Sequence, residues 1–128
     1  RKIVTLCGST RFYRAFQEAN YIETMAGNIV LSVGFYPHAA EEAHGEERGC
    51  TAEEKQALDE LHFDKIAMSD EILVLNVDRY VGESTRNEIA YALLKNIPIR
   101  WLEGGDEWLE EHAHDLGRRV ATHVGAGR

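Results

Sequence analysis

Residues 71–95, EILVLNVDRYVGESTRNEIAYALLK, decide the fold of this chain. Residues 71–77 form the most continuous apolar run in the sequence, which is typical of a central strand covered on both faces. A loop at 79–83 then leads into a helix at 84–95, where apolar residues recur at helical spacing. The inward positions of this helix are predicted to be Ile89, Ala92 and Leu93. The stretch therefore predicts one strand, one loop and one helix in succession.

Similar strand and helix patterns occur on both sides of this stretch. Strands are predicted at 2–7 (KIVTLC), 28–33 (NIVLSV) and 97–101 (IPIRW), each rich in apolar residues. A helix is predicted after the first strand, where Phe12, Phe16, Ala19 and Ile22 recur at helical spacing. Residues 35–50 show no sustained period and predict a long loop, of the kind that is usually functional in a small domain.

Two further helices are predicted. Thr51 and Glu54 match a capping box, in which each side chain accepts a hydrogen bond from the other residue's backbone amide, and open a helix to about Met68. The apolar face of that helix is predicted to carry Leu58, Leu61, Lys65 and Met68, with Ile66 beside them. The acidic segment 106–114 predicts a last amphipathic helix, and the tail from about residue 118 is expected to be loosely ordered.

The predicted elements follow the order β-α-β-loop-α-β-α-β-α. Such alternation is typical of a three-layer α/β domain with a parallel sheet and right-handed crossovers. We expect the strand order 2-1-3-4, with four strands or five. Ligands of such sheets bind beyond the carboxyl ends of the strands where the order reverses, here between the first and third strands. A chain of 128 residues makes one domain, at 1–128.

The net charge limits the partners. The 14 Lys and Arg residues against 22 Asp and Glu residues give a formal charge of −8, which disfavours nucleic-acid polymers and anionic membranes. It does not disfavour a small anion, because one phosphate needs only a helix N-terminus and an arginine. We therefore expect a small-molecule ligand.

Cysteine and histidine usage indicates no metal or cofactor. Cys7 and Cys50 form no CxxC pair, and the six histidines show no zinc-binding spacing. Cys7 ends a predicted strand and is expected to be a core residue. No apolar run reaches the length of a membrane span and no leader pattern opens the chain, so we expect a cytoplasmic protein.

Two similar strings follow the first and third predicted strands. The first string is Gly8, Ser9, Thr10 and Arg11, and the second is Gly82, Glu83, Ser84, Thr85 and Arg86. Each opens a helix, where hydroxyls, backbone amides and an arginine can bind an anion. The alternative is that Ser, Thr and Gly act only as ordinary helix caps. Neither string contains GxGxxG or ends in GK[ST], so neither a dinucleotide fingerprint nor a P-loop is predicted.

Two carboxylates lie close to these strings in the sequence. Glu88, one turn into the helix after the third strand, is a candidate nucleophile or electrostatic stabiliser. Its spacing from Thr85 also fits a capping box, which is the alternative interpretation. Asp78, at the end of the central strand, is either a candidate acid or an ordinary turn residue.

Three segments resemble the nucleoside 2-deoxyribosyltransferase family, which includes nucleoside 5'-monophosphate N-glycosidases. They are LCGSTR at 6–11, IAMSD at 66–70 and GESTRNEIAYA at 82–92. The resemblance covers about residues 2–101 and implies a flavodoxin-like fold that cleaves the N-glycosidic bond of a nucleoside or nucleotide. It implies that Glu88 attacks the anomeric carbon, as the nucleophile of a retaining glycosidase does.

The resemblance also assigns roles to the other site residues. Family members often carry an aspartate eight residues before the position of Asp70, where this chain has His62, so the general acid is either His62 or Asp78. The family's monophosphate hydrolases hold the 5'-phosphate with serine and arginine side chains, which assigns phosphate binding to the two strings. These residues are Gly8, Ser9, Thr10, Arg11, Gly82, Ser84, Thr85 and Arg86. Members often complete the site across a dimer interface, so we expect a homodimer or higher homo-oligomer.

We expect hydrolysis of a (deoxy)nucleoside 5'-monophosphate to free base and sugar phosphate, and the sequence leaves other functions open. A transferase of the same family would exchange bases between nucleosides, and a non-catalytic module would bind a nucleotide without cleaving it. Cleavage of the nicotinamide bond of a dinucleotide is less favoured, because no ribose-reading acidic residue follows the second strand.

Overall fold

The computed structural model describes residues 1–34 and 51–128 and shows an α/β fold built on one parallel sheet. The strands are β1 (Ile3–Cys7), β2 (Ile29–Leu31), β3 (Glu71–Val74) and β4 (Ile99–Trp101). They lie in the order β2-β1-β3-β4, and helices flank them on both faces. The predicted three-layer, flavodoxin-like fold is therefore confirmed. The predicted loop at 35–50 lies outside the described residues.

The two inner strands supply apolar residues to both faces of the sheet. All strand pairs are parallel, and β3 lies between β1 and β4, as the continuous apolar run predicted. Successive side chains of a strand point to opposite faces. Leu6 of β1 accordingly lies in one apolar cluster, whereas its neighbour Cys7 lies in the cluster on the other face.

The helices divide unequally between the two faces. Helix α1 (Tyr13–Met25) covers one face, where Phe16 packs with Leu6. The helices on the other face are α2 (Ala52–Ala67), α3 (Glu83–Leu94), α4 (Asp106–Glu111) and α5 (Ala113–Gly125). The connection from β1 to β2 runs through α1, and the connection from β3 to β4 runs through α3. Because β2 lies on one side of β1 and β4 on the far side of β3, the order in which strands are added reverses between β1 and β3. None of the described helices is long and apolar enough to cross a membrane.

Helix α2 begins as predicted but buries a different face. Thr51 Oγ1 accepts a hydrogen bond from the Glu54 amide at 3.0 Å, and Glu54 Oε1 accepts one from the Thr51 amide at 2.9 Å, which completes the capping box. The buried residues of the helix are His62, Phe63 and Ile66, whereas Leu58, Leu61 and Met68 are exposed. The predicted face is wrong because apolar spacing alone does not show on which side of a helix the sheet lies.

Two further apolar residues are exposed for a different reason. Ile22, which continues the helical spacing of α1, is 61% exposed, and Leu93 of α3, which was predicted to point inward, is 41% exposed. Both share a helix with correctly predicted core residues, Phe16 in α1 and Ile89 in α3. A helix that lies on a flat sheet buries a narrow stripe, so residues at the margin of the apolar face remain in contact with solvent.

The C-terminal segment is ordered, which corrects the expectation of a loose tail from about residue 118. The predicted single acidic helix is also divided, since α4 ends at Glu111 and α5 runs on from Ala113 to Gly125. Leu116 and His123 of α5 are buried, and His123 Nε2 donates a hydrogen bond to the Asn87 carbonyl of α3 at 2.8 Å. Burial against α3 therefore holds this helix in place.

Close packing joins the carboxyl ends of β1 and β3. A Cβ atom at Gly8 would lie 3.2 Å from both the Cβ and the carbonyl oxygen of Leu75, so glycine permits this approach. Beyond β3, the Asn76 side chain donates to the Glu103 carbonyl at 3.2 Å and accepts from the Glu103 amide at 2.9 Å. These contacts fix the edge of the sheet at which ligands of such folds bind.

Candidate active site

Three side chains of different chemistry meet at the switch point between β1 and β3. His62 Nε2 lies 3.6 Å from Cys7 Sγ and 3.8 Å from Glu88 Oε1. All three residues are buried, with 7% of Glu88 and 4% of His62 exposed. Glu88 Oε1 has no hydrogen-bond partner among the described residues. A buried carboxyl oxygen without a partner is costly, which marks this cluster as a candidate site.

The fold explains why these residues meet. Cys7 is the last residue of β1, and the strand's alternation turns it toward the face that carries α2 and α3. His62 lies on the buried face of α2, and Glu88 lies in the second turn of α3, which begins just beyond β3. The capping-box alternative for Glu88 is not what the structure shows, since the N-cap of α3 is Gly82 and Glu88 points toward His62.

Burial controls the protonation of the cluster. It raises the pKa of Glu88 to about 8, and the negative charge of Asp59 adds to this effect. Burial lowers the pKa of His62 to about 4, and the positive charge of Lys65 acts in the same direction. Burial also raises the pKa of the Cys7 thiol well above its usual value. At neutral pH the resting cluster therefore holds a protonated carboxyl, a neutral imidazole and a thiol.

Glu88 also lies in the wall of a cavity of about 360 Å³ between α2, α3 and α5. Phe63 of α2 and His123 of α5 contribute aromatic surface to the wall. Their rings meet edge to face, with centroids 5.0 Å apart. The cavity therefore offers a flat ligand an aromatic surface next to the buried carboxyl.

The polar residues of the cavity are linked to one another. Lys55 Nζ donates to Asp59 Oδ2 at 3.1 Å and to Ser84 Oγ at 3.2 Å. Arg119 donates from Nη1 to Asn87 Oδ1 at 2.8 Å. Both cations line the cavity, but Lys55 is paired with Asp59, and Arg119 with Glu83 and Asp115, so an anionic ligand would compete with these carboxylates.

The first predicted anion string begins a short 3-10 helix (Thr10–Phe12). Ser9 is its N-cap, and Ser9 Oγ accepts a hydrogen bond from the Arg11 amide at 3.3 Å. The Arg11 guanidinium lies over the Tyr80 ring, 4.5 Å from its centroid, and makes no ion pair with the described carboxylates. Arg11 is thus exposed and positively charged at the carboxyl edge of the sheet.

In the second string, the side chains of Ser84 and Arg86 already have partners within the protein. Ser84 accepts from Lys55, and Thr85 is buried. Arg86 donates from Nε to the Val81 carbonyl at 3.1 Å and pairs with Asp115 Oδ2 of α5 at 3.2 Å. Gly82 caps α3 through its backbone. Arg86 would have to leave Asp115 to bind a phosphate.

The structure does not bring Asp78 to the cluster. Asp78 lies in a 3-10 helix (Val77–Arg79) after β3, is exposed, and has a positive φ of 53°. Its amide donates to Glu103 Oε2 at 2.9 Å, on the side of β4. This geometry is that of a turn residue, and it leaves His62 as the titratable neighbour of Glu88 that the sequence had proposed.

Sequence reasoning missed several residues of the cavity. Lys55, Asn87, Arg119 and His123 all line it, and none was predicted. Lys55 had a detectable signal, because it follows the capping box by one residue and pairs with Asp59 one turn later. Arg119 and His123 were assigned to the tail, although Leu116, Val120 and His123 repeat at helical spacing.

Comparisons with protein-family models, with curated proteins and with solved structures found no match to this chain. We therefore argue its function from the chemistry of Glu88 and its neighbours.

Proposed function

We propose that this protein hydrolyses the N-glycosidic bond of a (deoxy)nucleoside 5'-monophosphate, with Glu88 as the nucleophile, and releases free base and sugar phosphate. The observation that carries the proposal is the buried carboxyl of Glu88, whose Oε1 has no hydrogen-bond partner among the described residues, in a residue that lines a cavity between α2, α3 and α5. The resemblance of residues 82–92 to the nucleoside 2-deoxyribosyltransferase family supports the same role for Glu88.

The proposed reaction proceeds in two steps. Glu88 Oε1 forms a bond to the anomeric carbon while the bond from that carbon to the base nitrogen breaks, which leaves a glycosyl ester on the enzyme. Water then attacks the anomeric carbon, the ester bond breaks, and the carboxyl is regenerated. The departing base takes up one proton, and the attacking water supplies one.

His62 is the residue best placed to handle these protons. The attacking form of Glu88 is the carboxylate, so its proton must move, and His62 Nε2 lies 3.8 Å from Oε1. Without substrate this transfer is unfavourable, because burial disfavours both resulting charges. The positive charge that develops at the anomeric carbon stabilises the carboxylate. In this scheme His62 passes the proton to the leaving base, which must approach His62 closely, since His62 is buried and is not among the residues that line the cavity. The exposed Asp78 is not required.

Arg11 is the residue best suited to the 5'-phosphate. Of the two arginines that the sequence proposed, Arg86 is held by Asp115, whereas Arg11 makes no such ion pair within residues 1–34 and 51–128. Ser9 and Thr10 precede it at the start of a helical turn, where a phosphate could replace Ser9 Oγ as the partner of the Arg11 amide. We assign the phosphate to Arg11 with the 8–11 string.

Incubation with each 5'-monophosphate tests the proposal. Free base is measured by chromatography for the ribo- and deoxyribonucleotides in turn. We expect release from at least one of them, loss of release in Glu88→Gln, and full release in Glu18→Gln, which makes the same side-chain substitution at an exposed site on α1. No release from any monophosphate by the folded protein would refute the proposal.

The same assay separates the two alternatives. A transferase releases base only when a second base is supplied, and an exchanged nucleoside then forms. A non-catalytic module binds nucleotide in calorimetry but releases no base. The proposal also includes a homodimer in the cytoplasm, and light scattering in solution measures the first of these.

A further inference from the structure

The Cys7, His62 and Glu88 cluster has a second use that the glycosidase chemistry does not require. Its three side chains present sulfur, imidazole nitrogen and carboxylate oxygen, and these ligand atoms all lie within 4.8 Å of one another. This is the ligand mixture that zinc accepts in proteins. Cys7 and His62 are 55 positions apart in the chain, so no motif in the sequence indicates that they form a cluster.

The observed distances are close to those around a tetrahedral ion. Zinc binds sulfur at about 2.3 Å and nitrogen or oxygen at about 2.0–2.2 Å, which places a sulfur and a nitrogen ligand about 3.5–3.6 Å apart and a nitrogen and an oxygen ligand about 3.3–3.6 Å apart. The Cys7 Sγ to His62 Nε2 distance of 3.6 Å matches the first value, and the His62 Nε2 to Glu88 Oε1 distance of 3.8 Å is slightly longer than the second. A small movement of the Glu88 side chain would complete the set, since all three ligand atoms lie within 4.8 Å of one another.

A second observation points to a ligand. Glu88 Oε1 is buried and has no hydrogen-bond partner among the described residues. The same oxygen belongs to a residue that lines the cavity of about 360 Å³. An ion that enters through the cavity would therefore give Oε1 a partner and keep its fourth position open to water.

We propose that Cys7 Sγ, His62 Nε2 and Glu88 Oε1 form a binding site for a divalent zinc-class ion whose fourth ligand is water from the cavity. Binding displaces the thiol proton of Cys7 and the carboxyl proton of Glu88, and both protons pass to solvent. His62 binds as the neutral imidazole and releases none.

This site has a consequence for catalysis, which alone rests on the proposed function. A Glu88 oxygen that is bound to an ion cannot attack the anomeric carbon. Zinc is therefore an inhibitor of the hydrolase, and a chelator restores the activity. The Glu88 carboxyl group can carry either the ion or the glycosyl ester, but not both at the same time.

Cobalt(II) titration tests the site without any substrate. Tetrahedral cobalt bound to a thiolate gives a sulfur-to-metal charge-transfer band, so we expect this band to grow to one equivalent of cobalt and to vanish when zinc is added. Cys7→Ser should remove the band, and Glu88→Gln should weaken zinc binding by about tenfold or more. Cys50→Ser, which removes the other thiol, should leave both unchanged.

A thermal-shift measurement is the control that the variants are folded. One equivalent of zinc should raise the Tm of the native chain and of Cys50→Ser, but not that of Cys7→Ser, whose circular dichroism must match the native spectrum. Absence of the charge-transfer band in the folded native chain would show that the three residues form only a buried polar cluster. A band that depends on Cys50 would also overturn the proposal.

The two proposals fail separately. Metal binding without base release from any nucleotide would leave the metal site standing and remove the glycosidase. Base release that micromolar zinc does not inhibit, in a protein that gives no cobalt band, would remove the metal site and leave the glycosidase standing.

Discussion

His62 Nε2 and Glu88 Oε1 lie 3.8 Å apart, and neither side chain is more than 9% exposed to solvent. Such a pair acts as a unit, since each group determines the charge that the other can carry. The first prediction follows from this coupling.

Replacement of His62 and Glu88 should give non-additive losses. We expect His62→Gln to lower the rate of base release by about 10²–10⁴-fold, the usual contribution of a general acid. Glu88→Gln should leave only a small residual rate, and the double variant should be no slower than Glu88→Gln alone. The measurement is kcat/KM for the best monophosphate in all four proteins. Additive losses would show that the two residues act independently.

The phosphate assignment predicts a selective effect of Arg11. Arg11→Ala should weaken the monophosphate by about 10–100-fold in KM, as expected for a charge-assisted hydrogen bond of about 1.5–3 kcal/mol, and should leave the matching nucleoside unchanged. Arg14→Ala is the matched control, because Arg14 is an exposed arginine one turn further along. Equal losses for nucleotide and nucleoside would remove Arg11 from the phosphate site.

The amino edge of the sheet predicts how stability depends on pH. Arg100 donates to both oxygens of the buried Glu23, at 2.6 and 3.0 Å, and this hydrogen-bonded pair lowers the pKa of Glu23. A carboxyl with a lowered pKa in the folded state stabilises the fold above its unfolded value near 4.5, and this contribution is lost as the pH falls through the lower folded value.

Glu23→Gln should therefore lower the free energy of unfolding at pH 7 by about 1–2 kcal/mol and make acid unfolding less steep. The figure is modest because Arg100 is 43% exposed and solvent screens its charge. Urea titrations between pH 3 and pH 7 measure both effects. Glu18→Gln, on the exposed side of α1, should change neither.

A pair of adjacent glycines predicts opposite effects of one substitution. A Cβ atom at Gly105 would lie 2.0 Å from the Trp101 ring, whereas a Cβ at Gly104 meets nothing within 4 Å. Gly105→Ala should lower the free energy of unfolding by about 1–3 kcal/mol, because the ring must move. Gly104→Ala should leave it unchanged or raise it slightly. Equal urea midpoints for the two variants would contradict this packing.

The order of elements could be predicted because it depends on local signals. The apolar run of β3 and the capping box of α2 each occupy a few consecutive residues, and both are found where the sequence placed them. The buried face of α2 could not be predicted in this way. The sheet lies against His62 and Phe63 rather than against Leu58 and Leu61, and this choice is made by distant parts of the chain.

The same contrast between local signals and packing of distant segments applies to the residues of the candidate site. Glu88 could be named because it lies one turn into the helix that follows the most continuous apolar run, and His62 because it lies eight residues before Asp70 in a predicted helix. The place of Cys7 beside them follows from the alternation of β1 and from the approach of α2, neither of which a motif records. His123 and Arg119 join the cavity only because α5 folds back onto α3.

Because α5 folds back onto α3, the Glu88 carboxyl and one wall of its cavity come from different parts of the chain. Glu88 is carried by α3, which follows β3, whereas one wall of the cavity is carried by a helix that follows the last strand. His123 and Arg119 of this wall are bonded to Asn87 of α3, but the exposed Thr122 can be replaced without contact to either inner strand. Under the proposed function, ligand preference would therefore be adjustable at the C-terminal end of the chain while Glu88 keeps its position.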